Sequence, residues 1–457
     1  MKIIILGAGQ VGSSVAANLA NEANDVTVVD SNEKALNHLR NHYDLRTVHG
    51  HASHPDVLQQ AGAEDAELML AVTNSDETNM VACQIARILF KITNRIARVR
   101  KPEYLGYPQL FEEKGFSISE HISPEMLVTR AIQRLIDYPD ALQVQDFTDG
   151  KVQLVATKAF YGGPLVGHEL RTLHDHIPNI DSRIVAIYRR GRAITPEGKQ
   201  VIEADDEVFF LAAAPHVRKV MSEMRKLEKP IRRVMIGGAG NIGKRLAESL
   251  ESHYHVKLIE YDSERAAEVS TLFDRVIVLE GDVGDETLLK EANVKETDIF
   301  CALTNDDQLN ILAAMLAKRL GARKVMALIN RSSYVDLVES SNIDIAISPQ
   351  QITIGSLLAR VRRGDVVRVH ALRRGAAEAI EAIAHGDRNS SKVVGRKIED
   401  IKLPPQTTIG AIVRGDEVIM PHHDTVIKSE DHVILFLMDK NHISAVERLF
   451  EVGFSFF

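Results

Sequence analysis

Short apolar runs alternate along this chain with stretches whose apolar residues recur at helical spacing. Lys2-Ile3-Ile4-Ile5-Leu6 reads as a buried strand, and residues 13–21 carry Val15, Ala16 and Leu19 on one helical face. Val26-Thr27-Val28-Val29 is a second strand ending in Asp30, followed by a helix over 31–41. Strands over 45–48, 68–72 and 96–99 alternate with a helix over 55–61 and one carrying Val81, Ile85, Ile88 and Leu89. Residues 116–122 supply a sixth strand. Strands alternating with helices of this length predict a parallel, doubly wound α/β sheet.

Between the first strand and its helix stands Gly7-Ala8-Gly9-Gln10-Val11-Gly12. Glycines at this spacing give a tight turn, let the backbone approach a pyrophosphate and let the helix pack close to the strand. The helix N-terminus then offers its amides and its dipole to the phosphates. Asp30 stands 18 residues past Gly12, where a dinucleotide fold places the carboxylate that accepts hydrogen bonds from the adenosine ribose. An anion at that position disfavours a 2′-phosphate, and so NADP; NAD(H), ATP and ADP all keep the free diol, and the acid does not choose among them.

The same device recurs 231 residues later as Gly238-Ala239-Gly240-Asn241-Ile242-Gly243, after the strand 233–236 and before the strand 256–259, which ends in Glu260. The offset holds downstream, pairing Gly50 with Gly281, Thr73-Asn74 with Thr304-Asn305, and Asn79 with Asn310. A register kept this long marks an internal duplication, so the chain carries two nucleotide-type sites. Thr73-Asn74 and Thr304-Asn305 fall at the carboxyl ends of strands, on the edge where open α/β sheets bind ligands. They read either as ligands to ribose or phosphate or as helix caps, with Ser75, Asp76 or Asp307 as competing caps.

A second kind of module follows each sheet. Strands over 152–156, 183–188 and 207–211, a turn at Arg189-Arg190-Gly191 and a closing helix over 216–227 return as strands over 408–413 and 432–437, a turn at Arg414-Gly415-Asp416 and a helix over 446–450. Residues 376–392, rich in Ala, Glu, His and Ser, are expected to loop out. The helices that begin at Ser123-Pro124 and Ser348-Pro349 have apolar residues on more than one face and are expected to pair with another copy of the chain.

With 457 residues, 45% apolar and 26% charged, the chain has ordinary globular composition and room for about three domains by length alone. No apolar run reaches the roughly 20 residues of a membrane span, and the N-terminus begins a strand with no signal-like segment. A net charge of −8 argues against general nucleic-acid binding. Cys83 and Cys301 read as small buried residues and support no disulfide framework, which fits a cytoplasmic chain. His49, His51 and His54 lack a zinc-type spacing and read as a polar loop. The basic groups over 95–101 and 360–363 read as solvated faces. No residue pattern supplies the acid–base pair of a hydride-transfer enzyme, so an NAD-dependent oxidoreductase is the rival reading, and it leaves the duplication unexplained.

Two glycine-cornered modules, each with a strand-end acid and a Thr-Asn pair, resemble the RCK (TrkA-N) domain of potassium-transport regulators, and the smaller modules resemble its TrkA-C companion. The tandem of both, across essentially the whole chain, resembles the regulators of Trk-type potassium uptake. The resemblance implies two Rossmann-like doubly wound parallel-sheet domains, each followed by a small α+β domain, over 1–123, 140–227, 231–348 and 367–453. It implies a non-enzymatic, peripheral cytoplasmic regulatory subunit on the inner face of the cell membrane that binds NAD(H) and, in some members, ATP or ADP. It also implies an integral-membrane Trk-type K+ uptake subunit as partner and a homotetrameric ring of eight RCK units. Carried onto this sequence, the first site comprises residues 7–12 with Asp30, Thr73, Asn74 and Arg98, and the second residues 238–243 with Glu260, Thr304 and Asn305. The halves differ where Gly50-His51-Ala52 faces Gly281-Asp282-Val283 and where Ile329 replaces Arg98, so the two sites are not expected to bind one ligand equally.

Overall fold

The computed structural model describes residues 1–20, 24–226, 229–339, 342–361, 365–372, 377–439 and 442–451. The first half runs β1 Lys2–Leu6, α1 Gln10–Ala20, β2 Asp25–Asp30, α2 Glu33–His42, β3 Arg46–His49, α3 Pro55–Gln60, β4 Leu68–Ala71, α4 Asp76–Phe90, β5 Asn94–Arg98, α5 Pro102–Leu105, β6 Glu120–Ile122 and α6 Pro124–Asp137. A smaller module follows, with β7 Ala141–Phe147, β8 Val152–Lys158, α7 Leu173–His176, β9 Ser182–Arg189, β10 Arg192–Ile194, β11 Glu207–Ala213 and α8 Val217–Met224. The second half opens with β12 Arg233–Gly237, α9 Asn241–Leu250, β13 His255–Glu260, α10 Ser263–Ser270, β14 Ile277–Glu280, α11 Glu286–Glu291 and β15 Ile299–Ala302. It continues through α12 Asp307–Arg319, β16 Lys324–Leu328, α13 Ser332–Glu339, β17 Ile345–Ile347 and α14 Pro349–Val361, then β18 Val366–Leu372, β19 Ala377–Ala384, β20 Thr407–Arg414, β21 Glu417–Ile419, β22 Asp431–Leu437 and α15 Ile443–Phe450.

One compact unit comprises Met1–Leu127 with Pro349–Val361. Its six strands pair in the order β3-β2-β1-β4-β5-β6, and every pairing is parallel. β1 is central, and its residues Ile3–Leu6 are buried on both faces, as a parallel sheet covered by helices requires. Ile3 and Ile5 pack with Val15, Ala16 and Leu19 of α1, whereas Ile4 and Leu6 pack with Met80, Cys83 and Ala86 of α4. Leu357 and Leu358 of α14 join the α1 side of this core. The helix expected to seek another copy of the chain therefore covers the first sheet of its own chain. Arg95 also departs from expectation: it is buried, and its guanidinium donates to the Ser117 carbonyl at 2.7 Å, so it is not part of a solvated face. The side chains of the second basic group lie outside the described residues.

The other unit holds residues 128–348 and those from 365 onward. Its parallel sheet repeats the first in the order β14-β13-β12-β15-β16-β17. Asp137, at the end of α6, accepts a hydrogen bond from the Tyr254 hydroxyl at 2.8 Å in this unit. The two smaller modules are antiparallel sheets of one topology, β10-β9-β11-β8-β7 and β21-β20-β22-β19-β18. β19 stands where the sequence was expected to loop out. Its Ala-Glu-Ala-Ile-Glu-Ala-Ile-Ala run lacks the β-branched density of β8, but it is buried between β18 and β22, and neighbouring strands outweigh propensity there.

These two sheets share one core, in which Phe147, Leu154, Phe209 and Leu211 meet Ala379, Ala411 and Phe436. The ring centroids of Phe209 and Phe436 lie 6.0 Å apart. Pairing with the central strand shifts by one residue at Val185 in β9 and at Gly410 in β20, so the two occupy matching bulges. A Cβ on Gly410 would lie 2.3 Å from Leu211 Cδ1 and 3.0 Å from Val185 Cγ1, so any side chain at the second bulge requires its neighbours to shift. Each module also carries the same buried ion pair. Arg189 Nε and Nη2 reach the two Asp206 oxygens at 2.8 Å each, and Arg414 reaches those of Asp431 at 2.8 and 2.7 Å.

Between the modules, the Thr148 amide and hydroxyl donate to the buried Glu381 carboxylate at 3.0 and 3.1 Å. His370 lies edge-on to Phe147, and its Nε2 is 3.1 Å from the Asp146 carbonyl. Burial pushes this ring down to about 4, with Arg134 and Arg368 adding to the effect and the Asp146 carbonyl opposing it. The folded ring then stays neutral between about pH 6.5 and 4 while the unfolded chain takes up a proton. Its contribution is complete above pH 6.5 and is lost as pH falls toward 4. Thermal unfolding followed from pH 7 to 4 is expected to show a shallower acid loss of stability in His370→Phe than in the wild type.

Candidate functional site

Each cleft is built at the carboxyl edge of its parallel sheet, where the first strand turns into the first helix. Gly7 and Gly238 take φ of +109° and +100°, a region costly for any residue with a side chain. Gly12 and Gly243 are fixed by contact: a Cβ on either would lie 1.9 Å from the carbonyl oxygen of Gly7 or Gly238. Gly9 and Gly240 are different, because a Cβ there would meet nothing within 4 Å. Backbone is thus exposed to open space at the middle glycine, the cradle that a pyrophosphate needs. Gln10 and Asn241 begin the helices and are exposed; Val11 packs against the core.

The acids close the clefts by gripping the turns. Asp30 Oδ2 accepts the Ala8 amide at 2.5 Å and Oδ1 the Asn32 amide at 2.7 Å. Glu260 repeats the pattern, with the Ala239 amide at 2.8 Å and the Asp262 amide at 3.0 Å. A carboxylate has about four acceptor positions, so both acids keep capacity for a ribose diol.

Thr73 and Thr304 sit against the turns but are engaged elsewhere. The Thr73 hydroxyl donates to Asn79 Oδ1 at 2.7 Å, and that oxygen also accepts the Thr73 amide at 3.0 Å. Asn79 Nδ2 donates to the Arg98 carbonyl at 3.0 Å, tying the ends of β4 and β5 together. Asn310 makes the same clasp with Thr304, at 2.8 Å to both amide and hydroxyl, and with the Leu328 carbonyl at 2.9 Å. Both asparagines are fully buried. The sequence shows them only as matched positions in the repeat, because nothing local marks a buried clasp.

The caps are settled as well. Ser75 caps α4 by accepting the Thr78 amide at 3.1 Å, and Asp306 caps α12. Neither Asp76 nor Asp307 does so: Asp76 accepts the Arg100 and Lys101 amides at 2.8 Å each, and Asp307 accepts the Asn330 and Arg331 amides at 2.9 Å each. Asn74 and Asn305 are left exposed at the sheet edge.

Arg98 ends β5, and its buried Nε has no hydrogen-bond partner among the described residues. Burial lowers its pKa below the ordinary guanidinium range, Arg100 adds to this, and Glu125 and Asp76 oppose it. Its counterpart Ile329 is fully buried in the core. The second cleft is a cavity of about 380 Å³ lined by Gly238, Gly240, Glu260, Thr304 and Asn305, with Tyr261, Arg265 and Asp282 at its rim. Tyr261 and Arg265 belong to no sequence motif. Of the described residues, no three His, Cys, Asp or Glu are grouped to hold a metal, and no helix is long and apolar enough to cross a membrane.

Comparison with known proteins agrees with this architecture. The TrkA-N domain family matches residues 3–124 and 234–349, and the TrkA-C domain family matches residues 161–225 and 388–451. The chain is 60% identical over 457 residues to the Trk system potassium uptake protein TrkA of Halomonas elongata, covering 100% of both. It is 59% identical over 452 residues to the protein of the same name from Vibrio alginolyticus, covering 99% of each. Among solved structures, the GsuK RCK domain superposes with a TM-score of 0.60 at 17% identity, over 98% of this chain and 94% of that one. The GsuK channel bound to NAD gives 0.61 at 18%, over 98% and 79%. At such identities the likeness speaks to fold alone.

The glycines separate stability from binding. Gly12→Ala is expected to lose about 3 kcal/mol in a denaturant titration, the upper part of the usual overpacking range, because its methyl meets a fixed carbonyl. Gly9→Ala should unfold near the wild-type midpoint and yet weaken any ligand seated on the turn.

Proposed function

Because the chain belongs to the TrkA family of Trk system potassium uptake proteins, we propose that it is a nucleotide-responsive regulatory subunit of a Trk-type potassium uptake system. It acts from the cytoplasmic face, as a peripheral partner of an integral-membrane K+-translocating subunit. Four copies form a ring of eight RCK units. Its ligands are NAD(H) and ATP or ADP, held by residues 7–12, Asp30, Thr73, Asn74 and Arg98 in the first cleft and by residues 238–243, Glu260, Thr304 and Asn305 in the second.

The observation that carries this reading is the duplicated cleft, in which an exposed glycine backbone, a helix N-terminus and a strand-end acid recur with one geometry. That set accommodates an adenosine diphosphate group: the turn and helix amides take the pyrophosphate, and the acid takes the ribose diol. A solved relative in fold, the GsuK channel, is described as bound to NAD. Arg98 adds a cation at the edge of the first cleft only, where a charge-assisted bond to phosphate relieves its unpartnered nitrogen. Thr73 and Thr304 contribute through position, since their hydroxyls already serve the asparagine clasps. The family is one of transport-system proteins rather than enzymes. A bound nucleotide acts by contacting one arrangement of the ring better than another, which is the only way a ligand shifts an equilibrium.

Calorimetric titration with NADH, NAD, ATP and ADP tests this reading. The wild type is expected to bind, and Asp30→Ala and Glu260→Ala each to lose about tenfold or more at one site, as removal of a charged acceptor does. Absence of binding by the wild type, or turnover of NAD with a panel of hydroxy and amino acids, would overturn it.

A further inference from the structure

The two clefts share a floor and differ at the rim. In the first half, Ser31 follows the acid and Ala35 lies one helical turn further on. The same positions in the second half are Tyr261, directly after Glu260, and Arg265, in the first turn of α10. Both line the 380 Å³ cavity together with Asp282, whose counterpart in the first half is His51. Tyr261 is 78% exposed. An aromatic ring with a flat face in the open, beside an acid suited to a ribose, is a surface on which a base can stack.

We infer that the second cleft is the base-reading site of the pair, in which Tyr261 and Arg265 cover the face of adenine and Asp282 accepts from its exocyclic amine. This rests on the nucleotide reading above. The acid fixes where the ribose sits, so the base is carried past the end of β13, toward the residues that immediately follow Glu260. A phenol and a guanidinium both have planar faces that pack on a purine. Asp282 Oδ1 already accepts the Gly284 amide at 2.8 Å, which holds the carboxylate in place and leaves it capacity for an amine donor. The first cleft has Ser31 and Ala35 in place of the phenol and guanidinium, and the exposed His51 ring, 4.9 Å from that of His54, in place of the carboxylate, so it lacks this set.

The test compares ADP with inorganic pyrophosphate on the full chain. In calorimetry the wild type is expected to bind ADP at two sites. Tyr261→Ser, which installs the residue of the first cleft, should weaken one of them about tenfold, Tyr261→Phe should not, and pyrophosphate binding should be equal in all three. As an independent readout, ADP should protect Tyr261 from nitration by tetranitromethane, mapped by mass spectrometry, and pyrophosphate should not. Undiminished ADP affinity in Tyr261→Ser, or equal nitration with ADP bound, overturns the inference and leaves the nucleotide reading standing. A wild type that binds no ADP and no NADH overturns both.

Discussion

The contact on which both clefts depend is the approach of a helix to a strand that leaves no room for a carbon atom. Gly12 and Gly243 lie so near the carbonyls of Gly7 and Gly238 that any side chain would collide with fixed backbone. That approach brings the helix amides to the edge of the sheet and opens the turn at Gly9 and Gly240. Asp30 and Glu260 then lock the turn by accepting the Ala8 and Ala239 amides. The acid therefore serves the shape of the cleft as well as its chemistry. Placing a ribose on it draws on a group already oriented by two backbone bonds, which lowers the ordering cost of binding.

Duplication supplies the second layer of organisation, and the halves are not equivalent. The floors match atom for atom in their hydrogen bonds, from the glycine turns to the Asn79 and Asn310 clasps. The rims diverge, with Arg98 against Ile329 on one side and Ser31 against Tyr261 on the other. The floor holds the fold together, because turn, clasp and cap are all buried or backbone-bonded. Ser31 and Tyr261 are exposed, carry little of the stability and are free to set what each cleft prefers, whereas Arg98 and Ile329 differ inside the fold.

Much of this was legible in the sequence because it rests on local, repeated signals. Glycine spacing, a strand-end acid and short apolar runs alternating with helical patterns pointed to both parallel sheets, and the constant offset to the duplication. β19 was missed because its alanines and glutamates are poor strand formers made strand by their neighbours. Arg95 read as a solvated charge because its partner, Ser117, is 22 residues away in sequence. The threonine hydroxyls looked free for a ligand because the asparagines that claim them lie six residues on and inside the core. Tyr261 carried no pattern at all; only the cavity beside it gives it a role. In each case the missing information was a contact made only in the fold, which no local pattern marks.

The bulge at Gly410 has a longer reach than its size suggests. It leaves a notch filled by Leu211 and Val185 from the preceding module, while the matching bulge in that module carries valine instead. Where Leu211 fills that notch from the first module, the matching position of the second module holds Phe436, a larger side chain. The two sheets share one topology and yet meet as an asymmetric pair, each shaped to a partner unlike itself.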